Sequence, residues 1–284
     1  MRSICVSTWR KVRLVSPGSS VSTRFARCGI HDRREGGEAV SDALGPEGAF
    51  ASRRIRGVDI AANVGRVRER IVRAAERAGR RPEEIRLVAA AKQVEAARVQ
   101  QAIAAGITDI GENYVQEAAT KRSQVSPAAR WHLIGHLQRN KAGQAARIFD
   151  IIQTVDSLPI AQAIGRRAEA EGRTIGVLLQ VNTSGEASKS GVPPAELSRL
   201  LATVLAIAGI RVEGLMSIGS LHPDPEAGRP EFRLLVELAQ RAERESGAAM
   251  KWVSMGMSHD FEAAIEEGAN LVRVGTAIFG SRPG

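Results

Sequence analysis

One lysine of this sequence stands where its amine could do chemistry. Lys92 directly follows the apolar run LVAAA at residues 87–91, in a chain with only six lysines among its 40 basic residues. If the run is a buried strand, the amine is partly desolvated, which disfavours the ammonium form and makes the amine a nucleophile toward a carbonyl group. The alternative is a lysine at a strand end that extends its amine into solvent.

The segment from 254 to 280 carries groups suited to an anion. Ser258 precedes an acidic helix start, and we predict that it caps this helix, whose free amides favour negative charge. Gly275 and Thr276 follow an apolar run and offer backbone amides and a hydroxyl group. Each feature alone is equally typical of an ordinary cap or a tight turn, but two facing helix starts would form a phosphate site. With Lys92 opposite, the pattern indicates a ligand that carries both an aldehyde and a phosphate.

The rest of the chain from residue 58 onward must position these groups. Apolar residues recur every three or four positions between 60 and 75, which predicts an amphipathic leading helix. After it, short apolar runs alternate with helical stretches that mostly close with glycine, the residue that suits a helix C-cap. Continuous apolar runs separated by helices are typical of parallel strands covered on both faces. The eight predicted strands are residues 87–92, 108–111, 131–135, 151–156, 175–182, 210–219, 251–256 and 271–275.

Eight strand and helix units over about 225 residues have the size of one (β/α)8 TIM barrel, so we predict an α/β fold of that type with an extra N-terminal helix. An open doubly wound sheet is the alternative, but it usually shows a glycine-rich first turn, and neither GxGxxG nor GxxxxGK[ST] occurs here. Functional groups of such barrels lie at the carboxyl ends of the strands. That rule brings Lys92 together with the groups that follow the second, seventh and eighth strands.

Composition and charge exclude several other classes. The longest apolar stretch, residues 200–210, is much shorter than the roughly 20 residues that cross a bilayer, so no membrane partner is expected. The formal net charge of +9 suggests a nucleic-acid-binding protein. However, residues 1–56 hold eleven basic and five acidic residues, which leaves only +3 for the remainder. Binding to nucleic acid would therefore depend on the N-terminal segment, and we expect no nucleic-acid partner for the barrel.

Residues 1–57 are predicted to form an extension outside the fold, with the barrel domain at residues 58–284. Three explanations of the extension stay open: a transit peptide that contains Arg and Ser, a disordered tail, or a stretch that is not translated because synthesis starts at the codon of Val58. In none of the three does the extension belong to the barrel.

No metal site is predicted. The two cysteines, Cys5 and Cys28, both lie in the N-terminal extension, without the spacing of a metal-binding pair or a disulfide framework. His132 and His136 are four residues apart, but no third ligand has helical spacing to them. The cysteine usage suits a reducing cytoplasm, which is the expected location.

Seven segments occur in an order that matches a known family. They are LVAAAK (87–92), GENYVQE (111–117), WHLIGHLQRNKA (131–142), QTVDS (153–157), LLQVNTSGEASKSGV (178–192), GLMSIG (214–219) and SMGMSHDFEAAIEEGANLVRVGTAIFG (254–280). Over residues 58–282 the chain resembles the pyridoxal phosphate homeostasis protein family. The resemblance implies a barrel similar to the N-terminal domain of alanine racemase, with pyridoxal 5′-phosphate (PLP) held as a Schiff base. It also implies a role in PLP (vitamin B6) homeostasis without established catalytic turnover.

The resemblance also assigns roles to individual residues. Lys92 would form the Schiff base, Asn113 would neighbour the ring, and Arg273 would face the pyridine nitrogen. Because a guanidinium stays protonated, it keeps that nitrogen unprotonated and weakens the ring as an electron sink. The phosphate would be bound by Ser258, Gly275 and Thr276.

Two positions depart from the family pattern. Ala91 stands where a serine is usual, and Val94 stands where a second lysine is typical. The Schiff base on Lys92 should tolerate both changes. A transfer step in which the second lysine accepts PLP is put in doubt. Lys189, in the loop GEASKSG, is left without an assigned role.

A PLP-dependent amino-acid racemase or lyase is the alternative function. Racemisation needs two bases on opposite faces of the substrate carbon, and alanine racemases take the second, a tyrosine, from a separate C-terminal β-domain. Here the sequence ends at Gly284, and its single tyrosine, Tyr114, lies in GENYVQE. We therefore expect no dedicated turnover. Without the domain that dimerises alanine racemases a monomer is expected, with PLP and apo forms of PLP-dependent enzymes as partners.

Overall fold

The computed structural model describes residues 58–220 and 222–281. The extension at residues 1–57, with its two cysteines, lies outside the described residues. The predicted boundary near residue 58 therefore remains a prediction.

Eight parallel strands close into a barrel in chain order, and the first strand pairs with the last. The predicted (β/α)8 barrel is therefore confirmed, and every predicted strand is present. The strands are β1 (Arg86–Ala90), β2 (Asp109–Glu112), β3 (Arg130–Leu133), β4 (Ile151–Val155), β5 (Ile175–Gln180), β6 (Ile210–Met216), β7 (Trp252–Ser254) and β8 (Leu271–Val274).

Helices surround the barrel, and one of them precedes the first strand as predicted. The α-helices of the described residues are α1 (Ile60–Arg77), α2 (Ala96–Ala104), α3 (Val115–Arg122), α4 (Ala142–Ile148), α5 (Leu158–Ala170), α6 (Leu197–Leu205), α7 (Arg229–Ser246), α8 (Phe261–Glu266) and α9 (Thr276–Phe279). Single 3-10 turns lie at Pro82–Glu84, Arg139–Lys141, Pro194–Glu196 and Pro225–Gly228. Among the described helices, none has the length and apolarity that a membrane span requires.

The apolar core has two parts. The larger part fills the space between the sheet and the helices, where the apolar faces of the helices meet the outward side chains of the strands. A smaller cluster lies within the barrel, and its buried members are Val88, Ile151, Leu178, Met216, Trp252 and Leu271. The remaining interior positions include charged and polar side chains, which need hydrogen-bond partners because water does not reach them.

Helix α1 packs against the last two helices of the chain. Its buried face contains Val64, Val67 and Ile71, the positions that the three- and four-residue spacing predicts. Ion pairs join Arg70 to Glu262 at 2.7 Å and Arg77 to Glu266 at 2.6 Å. The extra N-terminal helix therefore supports α8 and α9, between which the carboxyl end of β8 emerges.

Most predicted strands extend too far at their carboxyl ends. Lys92 does not end β1, because the strand stops at Ala90 and the chain turns when the Val94 amide bonds the Ala91 carbonyl at 3.0 Å. Apolar and small residues continue past the last ladder bond, so the hydrophobic run alone does not mark where the strand ends. The correction places Lys92 in the loop above the barrel.

Candidate functional site

The six predicted site residues line one cavity at the carboxyl end of the barrel. Its volume is about 340 Å³, within the range of small-molecule sites. Ile134, Ile218 and Phe279 contribute apolar wall. The predicted residues that face it are Lys92, Asn113, Ser258, Arg273, Gly275 and Thr276.

Lys92 lies in the loop between β1 and α2, half-buried at the cavity wall. Its Nζ atom is 5.5 Å from the centroid of the Tyr114 ring. This neighbour was missed in the sequence, although β1 and β2 are adjacent strands and both residues follow a strand end. Tyr114 is 52% exposed, so the amine and the ring meet at the solvent edge of the cavity.

Arg273 projects from β8 into the barrel and is almost fully buried. Its Nη1 donates to the Ser254 hydroxyl at 2.6 Å, and its Nη2 donates to the Ser217 carbonyl at 2.8 Å. Burial lowers the pKa of Arg273 to about 10, and the nearby negative charge of Asp260 partly opposes this change. The guanidinium is therefore still charged at neutral pH. These two hydrogen bonds use two of the five N–H donors of the guanidinium, and others remain for a ligand.

Ser258 does not cap the helix that follows it, and that prediction was wrong. Helix α8 starts only after Asp260, whose carboxylate accepts the Met257 amide at 2.6 Å. The Ser258 hydroxyl oxygen instead accepts the Gly275 amide at 3.0 Å and the Ala277 amide at 3.3 Å. Both of its lone pairs are thus engaged by backbone amides, and its own proton is left to be donated.

The Gly275 amide, which the prediction gave to the phosphate, is therefore bound to Ser258 in this structure. Gly275 lies close to β1, because a Cβ atom added there would be 3.1 Å from the Ala90 carbonyl oxygen. Thr276 is exposed, and its hydroxyl has no hydrogen-bond partner among residues 58–220 and 222–281. Thr276 is thus the free hydroxyl at this end of the cavity.

Asn113 follows β2 directly and is held from two sides. Its amide donates to the Glu112 carboxylate at 3.1 Å. A Cβ atom on Gly135 would lie 2.4 Å from the Asn113 carbonyl oxygen, so only glycine at that position permits this backbone approach. The position of Asn113 at the cavity depends on both contacts.

A chain of hydrogen bonds runs through the barrel from the Arg273 guanidinium, and it was not predicted from the sequence. Ser254 donates to Gln153 Oε1 at 2.7 Å, Gln153 Nε2 bonds His132 Nδ1 at 2.9 Å, and His132 Nε2 bonds Asp109 Oδ1 at 2.9 Å. We call Arg273, Ser254, Gln153, His132 and Asp109 the interior hydrogen-bond chain. Polar residues at inward positions of otherwise apolar strands were the available signal.

Along the interior hydrogen-bond chain, each side chain donates to the next one in the direction of Asp109. With Gln153 Nε2 as donor, His132 accepts at Nδ1 and donates from Nε2 to the carboxylate. Burial acts to raise the pKa of Asp109, but hydrogen bonds from His132 and Thr108 and the charge of Arg130 outweigh it, and the pKa lies well below its usual range. Arg86 also pairs with this carboxylate, at 3.1 Å.

His132 and His136 both lie within hydrogen-bond distance of other side chains. His132 belongs to the interior hydrogen-bond chain, whereas the exposed His136 lies 3.3 Å from the Ser190 hydroxyl. Within the described part of the chain, no three His, Cys, Asp or Glu side chains are grouped closely enough to hold a metal ion.

Comparisons with known proteins show the family to which this barrel belongs. The model of the family described as "Alanine racemase, N-terminal domain" matches residues 62–283. The pyridoxal phosphate homeostasis protein of Pseudomonas aeruginosa is 42% identical over 224 residues, which cover 78% of this chain and 96% of that protein. The protein of the same name from Escherichia coli K12 is 42% identical over 234 residues, 79% of this chain and 97% of that protein.

A solved structure is similar as well. PipY of Synechococcus elongatus PCC 7942, determined with PLP bound, superimposes with a TM-score of 0.70 at 33% identity and covers 78% of this chain and 100% of its own. The family resemblance inferred from the sequence motifs is thus confirmed. The chain belongs to the pyridoxal phosphate homeostasis protein family, with a barrel of the alanine racemase N-terminal type.

Proposed function

We propose that this protein binds PLP covalently through Lys92 and serves PLP homeostasis in the cytoplasm, without a dedicated catalytic reaction. The observation that carries the proposal is a single cavity that holds a lysine amine, a buried guanidinium and free hydroxyl donors. When bound, PLP supplies an aldehyde carbon that condenses with an amine, with loss of water, and a phosphate that accepts hydrogen bonds. Relatives named for PLP homeostasis and a PLP-bound neighbour support the assignment.

Lys92 is the residue we assign to the aldehyde. Among the described residues that line the cavity it is the only lysine. The position where the family typically has a second lysine is occupied by Val94, whose apolar side chain is buried. To act as a nucleophile the amine must be unprotonated, so Lys92 must first give up a proton at Nζ. The exposed edge beside Tyr114 gives that proton a route to water.

Ser258 and Thr276 are the hydroxyl donors we assign to the phosphate. The oxygen of Ser258 is already engaged by the amides of Gly275 and Ala277, so this side chain faces an anion as a donor. Gly275 contributes indirectly, since its amide orients that hydroxyl. Arg273 adds a fixed positive charge within the same cavity.

Arg273 is also the group we assign to the pyridine nitrogen, with Asn113 beside the ring. A guanidinium that remains charged at neutral pH donates a hydrogen bond without transferring its proton. The pyridine nitrogen then stays unprotonated, and the ring withdraws electrons less strongly. This arrangement favours holding the cofactor over carbanion chemistry, which agrees with a homeostasis role. The recipients we propose are apo forms of PLP-dependent enzymes, served by a monomeric carrier.

Covalent attachment tests the proposal. Full-length protein is incubated with PLP, reduced with borohydride and digested, and the modified lysine is located by mass spectrometry. We expect modification of Lys92 and loss of the visible absorption band of the lysine-bound cofactor in Lys92→Ala. Lys251→Ala is the matched control, because Lys251 is exposed and lies before β7, away from the cavity. An unmodified Lys92, or equal uptake by Lys92→Ala, would contradict the assignment.

One observation favours a second candidate, an amino-acid racemase. Tyr114 lies next to Lys92, so the two residues that could act as bases are neighbours. Its exposure argues against this function, because racemases exclude water from the reacting carbon. The test is racemisation of L-alanine by PLP-loaded protein, compared with free PLP and with Tyr114→Phe. Turnover above free PLP that disappears in Tyr114→Phe would favour the racemase.

A further inference from the structure

The residue after Lys92 has an unusual backbone conformation. Gln93 has a φ of 59°, and among residues 58–220 and 222–281 it is the only non-glycine residue with positive φ. A side chain disfavours this left-handed region, so surrounding contacts must hold the turn. Because Gln93 adjoins Lys92, the same contacts determine where the lysine side chain leaves the backbone.

A partly buried ion pair on α3, between Lys121 and Glu117, supplies these contacts. Lys121 Nζ donates to the Ala91 carbonyl at 2.7 Å and to Glu117 Oε1 at 2.6 Å. The same Glu117 oxygen accepts the Gln93 amide at 2.7 Å. The peptide groups before and after Lys92 are therefore both bound to one pair of side chains, four residues apart on the helix.

A third side chain fixes the pair in place. Glu112, at the end of β2, accepts the remaining hydrogen bond of Lys121 at 2.6 Å and is fully buried. All three donors of the ammonium group are thus used. Only 8% of the Lys121 side chain is exposed, so its hydrogen bonds lie largely out of water and hold their partners firmly. We call Lys121, Glu117 and Glu112 the Lys121 cluster.

The Lys121 cluster also reaches the other side of the cavity. The second oxygen of Glu112 accepts the Asn113 amide at 3.1 Å. The loops after β1 and β2 are therefore joined by one set of charges. An ion cluster with a purely structural role could bond any part of these loops, but this one bonds the residues on either side of Lys92 and the amide of Asn113 itself.

We propose that Lys121 and Glu117 are positioning residues for Lys92, which hold the left-handed turn at Gln93 and so keep the Lys92 amine directed at the cofactor aldehyde. The inference rests on the proposed attachment of PLP to Lys92. Attachment forms a C=N bond from the amine and the aldehyde and releases water, with no oxidation or reduction. The Lys121 cluster takes no part in that exchange and acts through the backbone of Lys92.

Two measurements separate positioning from general stability. The first is the rate of covalent PLP attachment, followed by the visible band and verified by borohydride reduction. The second is the affinity for 4-deoxypyridoxine 5′-phosphate, which has the ring and the phosphate but no aldehyde. We expect Lys121→Met to slow attachment by about tenfold or more, since displacement of a reacting group by a fraction of an ångström reduces rates strongly. Affinity for the aldehyde-free compound should change by less than about twofold.

Rescue by glycine gives the sharpest outcome. Gln93→Gly in the Lys121→Met background should restore much of the attachment rate, because glycine adopts positive φ without a steric cost. Gln93→Gly alone should attach PLP at the wild-type rate. Lys251→Met is the control for the loss of a lysine, and it should leave both measurements unchanged.

Glu117→Ala is the second variant if Lys121→Met does not fold. Glu117 is 24% exposed, and its removal frees the Gln93 amide while Lys121 keeps Glu112. Slower attachment with unchanged affinity for the aldehyde-free compound would again support positioning. Wild-type attachment rates in these variants, or equal losses in both measurements, would overturn it. Failure of the wild-type protein to attach PLP at Lys92 would instead overturn the proposed function.

Discussion

Ser258 has a fixed hydrogen-bond polarity, because two backbone amides point at its oxygen. A hydroxyl in this state presents a proton to the cavity and no free lone pair. A phosphate can accept that proton, whereas a ligand that needs an acceptor gains nothing from it. If Ser258 faces the phosphate as we propose, this polarity should make it favour the phosphorylated form of the vitamin.

The first prediction compares two ligands. Ser258→Ala should weaken PLP binding by about 10- to 100-fold, since a hydrogen bond to a charged group contributes about 1.5–3 kcal/mol. Binding of pyridoxal, which lacks the phosphate, should change much less. Equilibrium titration of both ligands checks the result. Equal losses for the two would show that Ser258 supports the loop rather than the phosphate.

The second prediction concerns Gly135. Gly135→Ala would place a methyl group within 2.4 Å of the Asn113 carbonyl oxygen, so the loop must move. Overpacking of this kind costs about 1–3 kcal/mol, and we expect lower thermal stability together with weaker PLP binding. Gly65→Ala is the control, because nothing lies within 4 Å of a Cβ there and the exposed helix position should gain stability. Unchanged PLP affinity in Gly135→Ala would remove Asn113 from the site.

The sequence identified most residue types of the site, but not all of their partners. Lys92 was recognisable because a charged side chain after an apolar run needs a reason to be there, whereas the role of Arg273 was inferred from the family resemblance. The partners of Ser258 were not predictable, since Gly275 and Ala277 lie at the start of α9, 17 and 19 residues later in the chain. The contact between Tyr114 and Lys92 was also not predicted, because the two residues lie in different loops of the barrel.

At the scale of elements, the interior hydrogen-bond chain starts at Arg273 on β8 and takes its other side chains from four further strands. β2, β3, β4 and β7 each place one polar side chain at an inward position. Because each side chain donates to the next one toward Asp109, the Asp109 carboxylate favours the orientation in which Arg273 donates to Ser254. The strands thus position the guanidinium from the opposite end of the barrel.

The third prediction is a pH dependence from Asp109. Its pKa is below normal in the folded protein, so its stabilisation is present above the unfolded-state pKa of about 3.9 and is lost as pH falls toward the folded-state pKa. Asp109→Asn should lower the free energy of unfolding by about 1.5–3 kcal/mol at pH 7. The difference in free energy of unfolding between Asp109→Asn and wild type should shrink below about pH 4.

Urea unfolding from pH 3 to pH 7 measures this difference. Asp224→Asn is the control, because Asp224 is exposed and an asparagine can still accept the Glu226 amide. Its stability should follow that of the wild type across the range. A constant difference between Asp109→Asn and wild type at all pH values would mean that the charge of Asp109 is not the stabilising feature.

The existence of the elements was predictable, whereas their ends were not. Apolar periodicity located all eight strands, because burial on both faces requires an apolar run. The ends depended on where the ladder hydrogen bonds stop, as at Ala90, and on loop turns such as that at Gln93. The turn at Gln93 is set by contacts with Glu117 and Lys121 of α3, which a local pattern does not contain.

At the scale of the whole molecule, net positive charge is concentrated in the sequence that precedes the barrel. Residues 1–56 carry six of the nine net positive charges. Cofactor binding and polyanion binding should therefore be separable, since every described residue that lines the cavity lies after position 58.

The fourth prediction follows from this separation. A protein that starts at Val58 should attach PLP to Lys92 with the same affinity as the full chain. Its retention on heparin should decrease and should depend less on salt, because fewer charges are released on binding. Chromatography in a salt gradient and PLP titration measure both properties. Strong salt-dependent heparin binding by the shortened protein would place a polyanion surface on the barrel itself.

The hydrogen bond between Ser254 and Gln153 has a consequence for folding. Gln153 belongs to the first four strands and Ser254 to the last four, so each half-barrel alone would bury polar groups that lack their partners. Neither half can complete its interior without the other. Folding should therefore be one cooperative transition, and a chain cut between β4 and β5 should regain its circular dichroism signal only when both fragments are mixed.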